Sequence, residues 1–366
     1  LKALLRITLL LLLPLSMFAG NDNKRGQAGT TQLLINPWAR SSGWAGANTG
    51  SIRGVEAMNF NVGGLRGVGN TDFIFSNTNL FRGAGINIYS VGFGQRVSST
   101  GVLGISMMYF DLGDFIRTTE DNPDNDLIFK PQFFNFSVAY TKTFSRTISG
   151  GILVKGVSES IDNVGGFGIA VDAGIQYQTN IFDATSDKQP FKFGVALRNV
   201  GPKMRYSGPG FSFRGRAPGN DFPMTQSMPV AAFEIPALLN IGLSYDFEPE
   251  ELHRITTAAN FTSNTFTKDH YQFGAEYGFK EMFMFRAGLD YSAKVFTGDR
   301  TVAETGPTFG ASVIYPIKFT KSGEMVQDYA ATENAKKAQS KLGIDFSYAF
   351  TERFGGTFRI GLNLSL

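Results

Sequence analysis

From residue 71 onward the chain alternates apolar and polar residues with a period of two, and no other feature restricts its fold as much. Tyr271, Phe273, Ala275, Tyr277 and Phe279 oppose Gln272, Gly274, Glu276, Gly278 and Lys280, because successive side chains of an extended strand point to opposite faces. Phe283, Phe285, Ala287, Leu289 and Tyr291 oppose Met284, Arg286, Gly288, Asp290 and Ser292 in the same way. The period recurs in fourteen segments: 71–80, 84–97, 100–112, 132–145, 147–160, 165–179, 190–206, 237–248, 253–266, 269–280, 282–295, 306–317, 340–350 and 354–366. Each is long enough to cross a bilayer at roughly 9–11 tilted residues per strand. Several alternate cleanly, and the segment 147–160 breaks the pattern at Ile152-Leu153-Val154.

A soluble sheet could hide one apolar face on a core. The last segment argues for lipid instead: Phe358, Ile360, Leu362, Leu364 and Leu366 share one face, and Arg359, Gly361, Asn363 and Ser365 the other. Apolar outside, polar inside and terminal is the expected look of the closing strand of an outer-membrane barrel. The 43 Gly and 35 Phe suit densely packed strands with tight turns. Tyr and Phe gather near segment ends, where an interfacial girdle would lie. No uninterrupted run of about 18 apolar residues follows the N-terminus, so the chain is expected to enter a membrane only as strands. The expected fold is all-β, a transmembrane antiparallel β-barrel of about 14 strands in the cell outer membrane, in contact with outer-membrane lipid.

Residues 1–19 are expected to be a signal peptide, with Lys2 and Arg6 as the basic end, an apolar run from Ile7 to Leu15, and cleavage after Ala19. Residues 20–70 lack sustained alternation and read as short turns with at most one helix. They are apolar and Gly-rich, which makes them the expected plug of the lumen, and residues 71–366 form the barrel. Connection lengths give the orientation. If the first strand rises from the periplasm, the long links 113–131, 207–236 and 294–305 lie outside the cell, and most short links lie inside. The link 318–341 is the long exception on the periplasmic side, and its Ala-, Glu- and Lys-rich part, 324–341, suits a short surface helix.

Chemistry is sparse. The chain has two His (His253 and His270) and no Cys, so metal thiolates, Cys nucleophiles and an imidazole triad are poorly supplied. A formal net charge of +3 gives no reason to expect a nucleic-acid partner. No P-loop is present, and the Gly-x-Gly spacings recur throughout as barrel glycines. The acidic run Asp121–Asp126 lacks the Gly and distal Glu of a calcium loop and reads as a solvated loop. No cofactor, metal or enzymatic activity is expected.

Two groups of residues stand out. Asp172, Arg198, Asp246, Glu276, Arg286, Asp290, Asp345 and Arg359 carry charges of both signs on the inward face. They are expected to satisfy one another and an inserted segment, with Asp345 and Arg359 as a candidate pair on the last hairpin. The loop 207–235 carries Phe211, Phe213, Phe222, Met224, Met228 and Phe233 among Gly and Pro. Aromatics and Met on an outer loop favour protein contact, although the same residues could fold down onto the barrel rim.

The N-terminal run "LLINPWARSSGWAGANTG", followed by "GVEAMNFNVGGL", resembles the start of the PorV/PorQ family of outer-membrane proteins. "YFDLGDF" at 109–115 and the closing hairpin "FSYAFTERFGGTFRIGLNLSL" are also similar to that family, over roughly residues 30–366. The chain departs from the family at Val62, which stands where the family has Pro, and in the inserted 318–341 segment. The resemblance implies a fourteen-stranded barrel similar to the FadL-type fatty-acid transporters, serving the type IX secretion system of Bacteroidota. It also implies partners: the translocon subunit, the C-terminal signal domains of cargo proteins, or both. The alternative function on the same fold is a FadL-like outer-membrane transporter of hydrophobic small molecules.

Overall fold

The computed structural model describes residue 24 and residues 26–118, 127–182, 188–216, 219, 222–292, 305–319, 325–327, 340–351 and 354–366. The expected signal peptide and the acidic run Asp121–Asp126 lie outside the described residues. Fourteen strands form the barrel wall. The first seven are β1 (Thr71–Leu80), β2 (Ile86–Arg96), β3 (Gly101–Asp111), β4 (Gln132–Thr143), β5 (Ile148–Ile161), β6 (Val164–Thr179) and β7 (Phe191–Val200). The second seven are β8 (Leu238–Glu250), β9 (His253–Asn264), β10 (His270–Phe279), β11 (Phe283–Ser292), β12 (Gly306–Phe319), β13 (Ser340–Ala349) and β14 (Thr357–Ser365). Each strand pairs antiparallel with the next, and β14 pairs with β1 from Asp72 opposite Ser365 to Asn79 opposite Phe358. The sheet is therefore closed and has no open edge to satisfy, which a chain spanning hydrocarbon requires.

Pattern and structure agree strand by strand. In β10, Phe273 and Tyr277 are exposed on the outer face, while Gln272 and Glu276 are buried inside. The wall thus presents lipid with a continuous apolar band. Ring pairs such as Tyr245–Phe247 (4.5 Å) and Tyr348–Phe350 (4.8 Å) sit at strand ends, where amphipathic rings favour the interface. The expected segment 190–206 overruns, since β7 stops at Val200. In the expected helix 324–341, Met325–Gln327 instead form a short strand paired with Ile317–Phe319 of β12, and most of the remainder lies outside the described residues.

We call the end where β1 starts and β14 finishes the near end, and the opposite rim the far end. The links 112–131 and 201–237 both leave the far end. At the near end, the main-chain N–H groups of Asn70 and Thr71 donate to the carbonyl of Leu366 at 3.2 and 3.1 Å.

Residues 30–68 contain one helical turn, α1 (Ala39–Ser42), and three 3-10 turns, Thr31–Leu34, Val55–Asn59 and Val62–Gly67. This segment touches every strand of the wall. Toward the first half its contacts are largely apolar: Trp38, Val55, Met58, Val62, Leu65 and Val68 form one buried cluster with Ile74 of β1, Val102 of β3, Ala139 of β4 and Leu153 of β5. Burying each such side chain contributes roughly 1.5–3 kcal/mol. Leu153 explains the irregular run in β5: Ile152 and Val154 face lipid while Leu153 faces this cluster, so both sides are apolar. From β7 onward the wall carries glycines where the segment's backbone comes close. A Cβ on Gly194 of β7 would lie 2.6 Å from the Thr49 carbonyl, and one on Gly242 of β8 would lie 2.8 Å from Thr49 Cβ. Glycine inside a strand marks such close approaches.

Candidate functional site

The inward face of β7–β14 is one connected chain of polar side chains. Lys192 pairs with Asp246 at 2.5 Å, and Asp246 accepts from Thr256 Oγ1 at 2.8 Å. Arg254, beside Thr256, donates to Glu276 (2.7 Å) and to Glu281 (2.6 Å). Glu276 also accepts from Arg286 Nε at 2.5 Å, and Arg286 donates through Nη1 to Ser312. Ser312 donates in turn to Asp345, which Asn363 also holds, through Nδ2, at 2.6 Å. Burying charges is costly unless they are paired and hydrogen-bonded, and here each carboxylate meets at least one cation or donor.

Asp345 receives its guanidinium from the N-terminal segment. Arg40 of α1 donates through Nε and Nη2 to its two oxygens at 3.3 and 3.4 Å. Arg359, the expected partner, lies opposite Ser347 in the β13–β14 register and donates Nε to the carbonyl of Asn36 at 2.9 Å. Arg40 was not picked out by sequence reasoning; its only signal was the Ala-Arg pair that follows the apolar stretch. Lys155, Lys192 and Arg254 were missed as well. Lys155 sits beside the irregular run of β5 and pairs with Asp172 at 2.7 Å.

All eight inward charges of the sequence reading lie on the lumen side, and the structure divides them. Asp246, Glu276, Arg286 and Asp345 belong to the chain above. Asp172 belongs with Lys155, Asp290 with His270 (2.9 Å), and Arg198 stacks on Phe60, with its Cζ 5.3 Å from the ring centre. The motif Asn61-Val-Gly-Gly-Leu65 acquires a physical role. Asn61 Oδ1 accepts from the Gly63 N–H (3.1 Å), while its Nδ2 donates to the carbonyls of Thr49 and of Ile175 in β6 (3.2 and 2.9 Å).

Among the cavities that adjoin the segment, two are sizeable. The larger, about 1150 Å³, is lined by near-end residues such as Asp72, Glu281 and Lys341, together with Arg40, Arg53 and Glu56 of the segment. The smaller, about 410 Å³, is lined by far-end residues such as Leu238, Asn264 and His270, together with Asn36, Ser42 and Phe60.

Glu56 is the segment's titratable oddity. Burial pushes its carboxyl up to about 7, against the opposing pull of Arg40, with Asp345 adding to the rise and a hydrogen bond to Ser41 lowering it. A raised carboxyl binds an extra proton in the folded state between the ordinary carboxylate range and about 7. Stability should therefore fall as pH rises through that window, by an amount on the order of a few kcal/mol. Comparing urea midpoints at pH 5 and 8 checks this: Glu56→Gln should flatten the difference, and an unchanged difference would refute it.

The far-end loop folds as a small hairpin, Ser212–Gly215 against Met224–Ser227. Phe213, Phe222, Met224 and Met228 are exposed on it, and Phe211 is half-buried. Phe233 belongs elsewhere. Its main chain exchanges hydrogen bonds with Met204 (2.8 and 2.9 Å), and its ring lies 5.2 Å from that of Tyr206, anchoring the loop base. A second far-end pair, Phe115–Ile116 against Ile128–Phe129, exposes Phe115, Ile116 and Ile128, which sequence reasoning had not selected.

Known proteins agree with this architecture. Residues 56–218 match the family model described as type IX secretion system protein PorV. Among solved structures, the Ralstonia pickettii toluene transporter TbuX aligns with a TM-score of 0.50 at 13% identity, covering 90% of this chain and 98% of its own. The Pseudomonas putida toluene transporter TodX gives 0.50 at 11% identity, covering 90% and 97%. The CymD monoaromatic hydrocarbon channel gives 0.50 at 13%, covering 90% and 97%. These likenesses are of fold. No curated protein sequence matches the chain. A closed barrel of fourteen strands with an apolar outer face has the architecture of an outer-membrane barrel, and its residues 56–218 match the PorV family model.

Proposed function

We propose that this barrel is a non-enzymatic component of the type IX protein secretion system, working by binding protein partners at its far end. In this reading residues 20–70 are a plug that closes the lumen, and the far end faces the cell exterior. The observation that carries the secretion role is the PorV family match over residues 56–218. Supporting the plug are the contacts of residues 30–68 with all fourteen strands and the separation of near-end from far-end cavities. The partners would be the translocon subunit, the C-terminal signal domains of cargo, or both. Phe213, Phe222, Met224 and Met228 supply the kind of exposed aromatic and thioether surface that protein contacts use.

The second reading, transport of hydrophobic small molecules, draws on fold neighbours that are toluene transporters. The ion-lined lumen disfavours it, because an apolar substrate gains nothing from charged walls.

Deleting 209–230 should leave a barrel that still shows heat-modifiable mobility but recovers several-fold less partner protein on affinity purification from the native membrane. Unchanged recovery would remove the contact role. Co-purification of lipid alone with the intact chain would favour the transporter.

A further inference from the structure

Lys155 of β5 and Arg198 of β7 share a single carboxylate. Lys155 pairs with Asp172 of β6 at 2.7 Å. Leu197 pairs with Ala173 and Val200 with Val171, so a β-bulge in β7 sets Arg198 and Asn199 together opposite Asp172. All three charged side chains are buried. The next carboxylate along the inward face of β5, Glu159, is engaged by Gln32 Nε2 at 2.6 Å and by the Tyr206 hydroxyl. The Lys155–Asp172–Arg198 group therefore holds a surplus positive charge largely removed from water, which is costly unless an anion answers it.

A second observation lies beside Lys155. A chamber of about 30 Å³ between the N-terminal segment and β2–β5 is lined by Trp38, Ser90, Asn135 and Lys155. Trp38 Nε1 and Ser90 Oγ are buried and have no hydrogen-bond partner among the described residues. The Asn135 amide is buried as well. Its Oδ1 has no partner, and its Nδ2 reaches only Met108 Sδ at 3.8 Å, so either end can turn to the chamber. Lys155 uses two of its three ammonium hydrogens, on Asp172 Oδ2 and on Asn199 Oδ1, each at 2.7 Å.

The chamber is thus rich in donors. An indole and an ammonium nitrogen can only donate, and a hydroxyl and an amide can do so too. No carboxylate is among its described lining residues, and Leu33, Met58 and Met108 supply apolar wall. Its size matches roughly one water molecule of the liquid, so a monatomic ion fits where sulfate or phosphate does not. A water would meet the hydrogen bonds but leave the charge.

We propose that this chamber is a halide site, holding one chloride against Trp38 Nε1, Ser90 Oγ, the Asn135 amide and the Lys155 ammonium. The ion ties the N-terminal segment, through Trp38, to the wall formed by β2, β4 and β5. The site does not depend on the secretion role, because it is defined by the chamber and the charges beside it.

Tryptophan emission of the full chain in a non-ionic detergent tests it, with sodium bromide as the probe, because a bromide held against an indole quenches its emission. Trp38 and Trp44 are the two tryptophans, and Trp44 packs elsewhere, against Gly274 of β10 and Gly288 of β11. Bromide should quench part of the emission saturably, and gluconate at equal ionic strength should not. Trp38→Phe should remove the saturable part. The urea midpoint should be higher in chloride than in gluconate. Lys155→Met leaves one cation for one carboxylate, so it should keep heat-modifiable mobility and lose both halide effects. Ser90→Ala should raise the half-saturating bromide concentration roughly five- to tenfold, and it decides the matter should the Met variant fail to assemble. Quenching that rises without saturation, wild-type half-saturation in Ser90→Ala, halide effects that survive in Lys155→Met, or equal midpoints in chloride and gluconate would each overturn the proposal.

Discussion

If residues 30–68 plug the lumen as proposed, replacing Gly288 by leucine should turn a barrel expected to be electrically silent into a conducting one. Gly288 faces the lumen from β11, and a Cβ there would land on the main chain of Trp44 and within 2.6 Å of the Ala45 amide nitrogen. The opposing backbone cannot easily yield, because Ala45 and Gly46 already make a tight left-handed turn, φ +57° and +73°. Adding atoms to a filled site costs about 1–3 kcal/mol even where side chains can shift, and here a branched side chain meets backbone. The ladder of β11 does not involve the glycine's missing side chain, so the wall should persist while the segment leaves it. In planar bilayers, current through Gly288→Leu should exceed that of wild type by at least about tenfold, given how wide a lumen fourteen strands enclose. Ala287→Leu, on the lipid side of the same strand, should remain silent. Protease should cut residues 30–68 only in the Gly288 variant. Porin-like conductance from the wild-type chain would sink the plug.

Removing the carboxylate of Glu276 should have the largest effect on stability. Its two oxygens hold Arg254 and Arg286, and its side chain is 6% exposed. Glu276→Ala leaves two guanidiniums facing one another without it, and breaking a buried pair in this way costs about 3–5 kcal/mol. The double variant Glu276→Leu with Arg286→Met should recover much of that loss, since the penalty lies in the uncompensated charge more than in the missing pair. Urea midpoints of the heat-modifiable band read both. A wild-type midpoint in Glu276→Ala would mean that the polar chain along β7–β14 carries no structural weight.

The fourteen strands were legible because lipid on one side and polar groups on the other impose the period directly. Legibility failed where that rule is broken from inside. Leu153 reads as noise until Met58 and Leu65 are found beneath it. Asn199 follows Arg198 onto the same face through the bulge, which no alternation foretells, and β7 ends sooner than its apolar run suggests. The partner of Asp345 was out of reach for another reason. Arg40 lies 305 residues away, in a segment with no period to give its side chains a direction. The run Asn61–Leu65 could be set beside the family's motif, from which it departs at Val62, but its meaning could not be read: the Asn61 side chain ties two turns of the segment to β6.

The two-sided seating of residues 30–68 also implies an expected order of folding events. Its contacts with the early strands are near in sequence: the Ser76 hydroxyl donates to the Pro37 carbonyl 39 residues away, and the Thr141 hydroxyl to the Val62 carbonyl 79 away. The charged contact from Arg40 to Asp345 spans 305. Each doubling of a closed loop adds about 0.6 kcal/mol of entropy cost, so the early strands can wrap the segment at least cost, and local contacts form fastest. On that expected order the segment would serve as a mandrel, with β1–β5 forming against it and the acid–base half closing last.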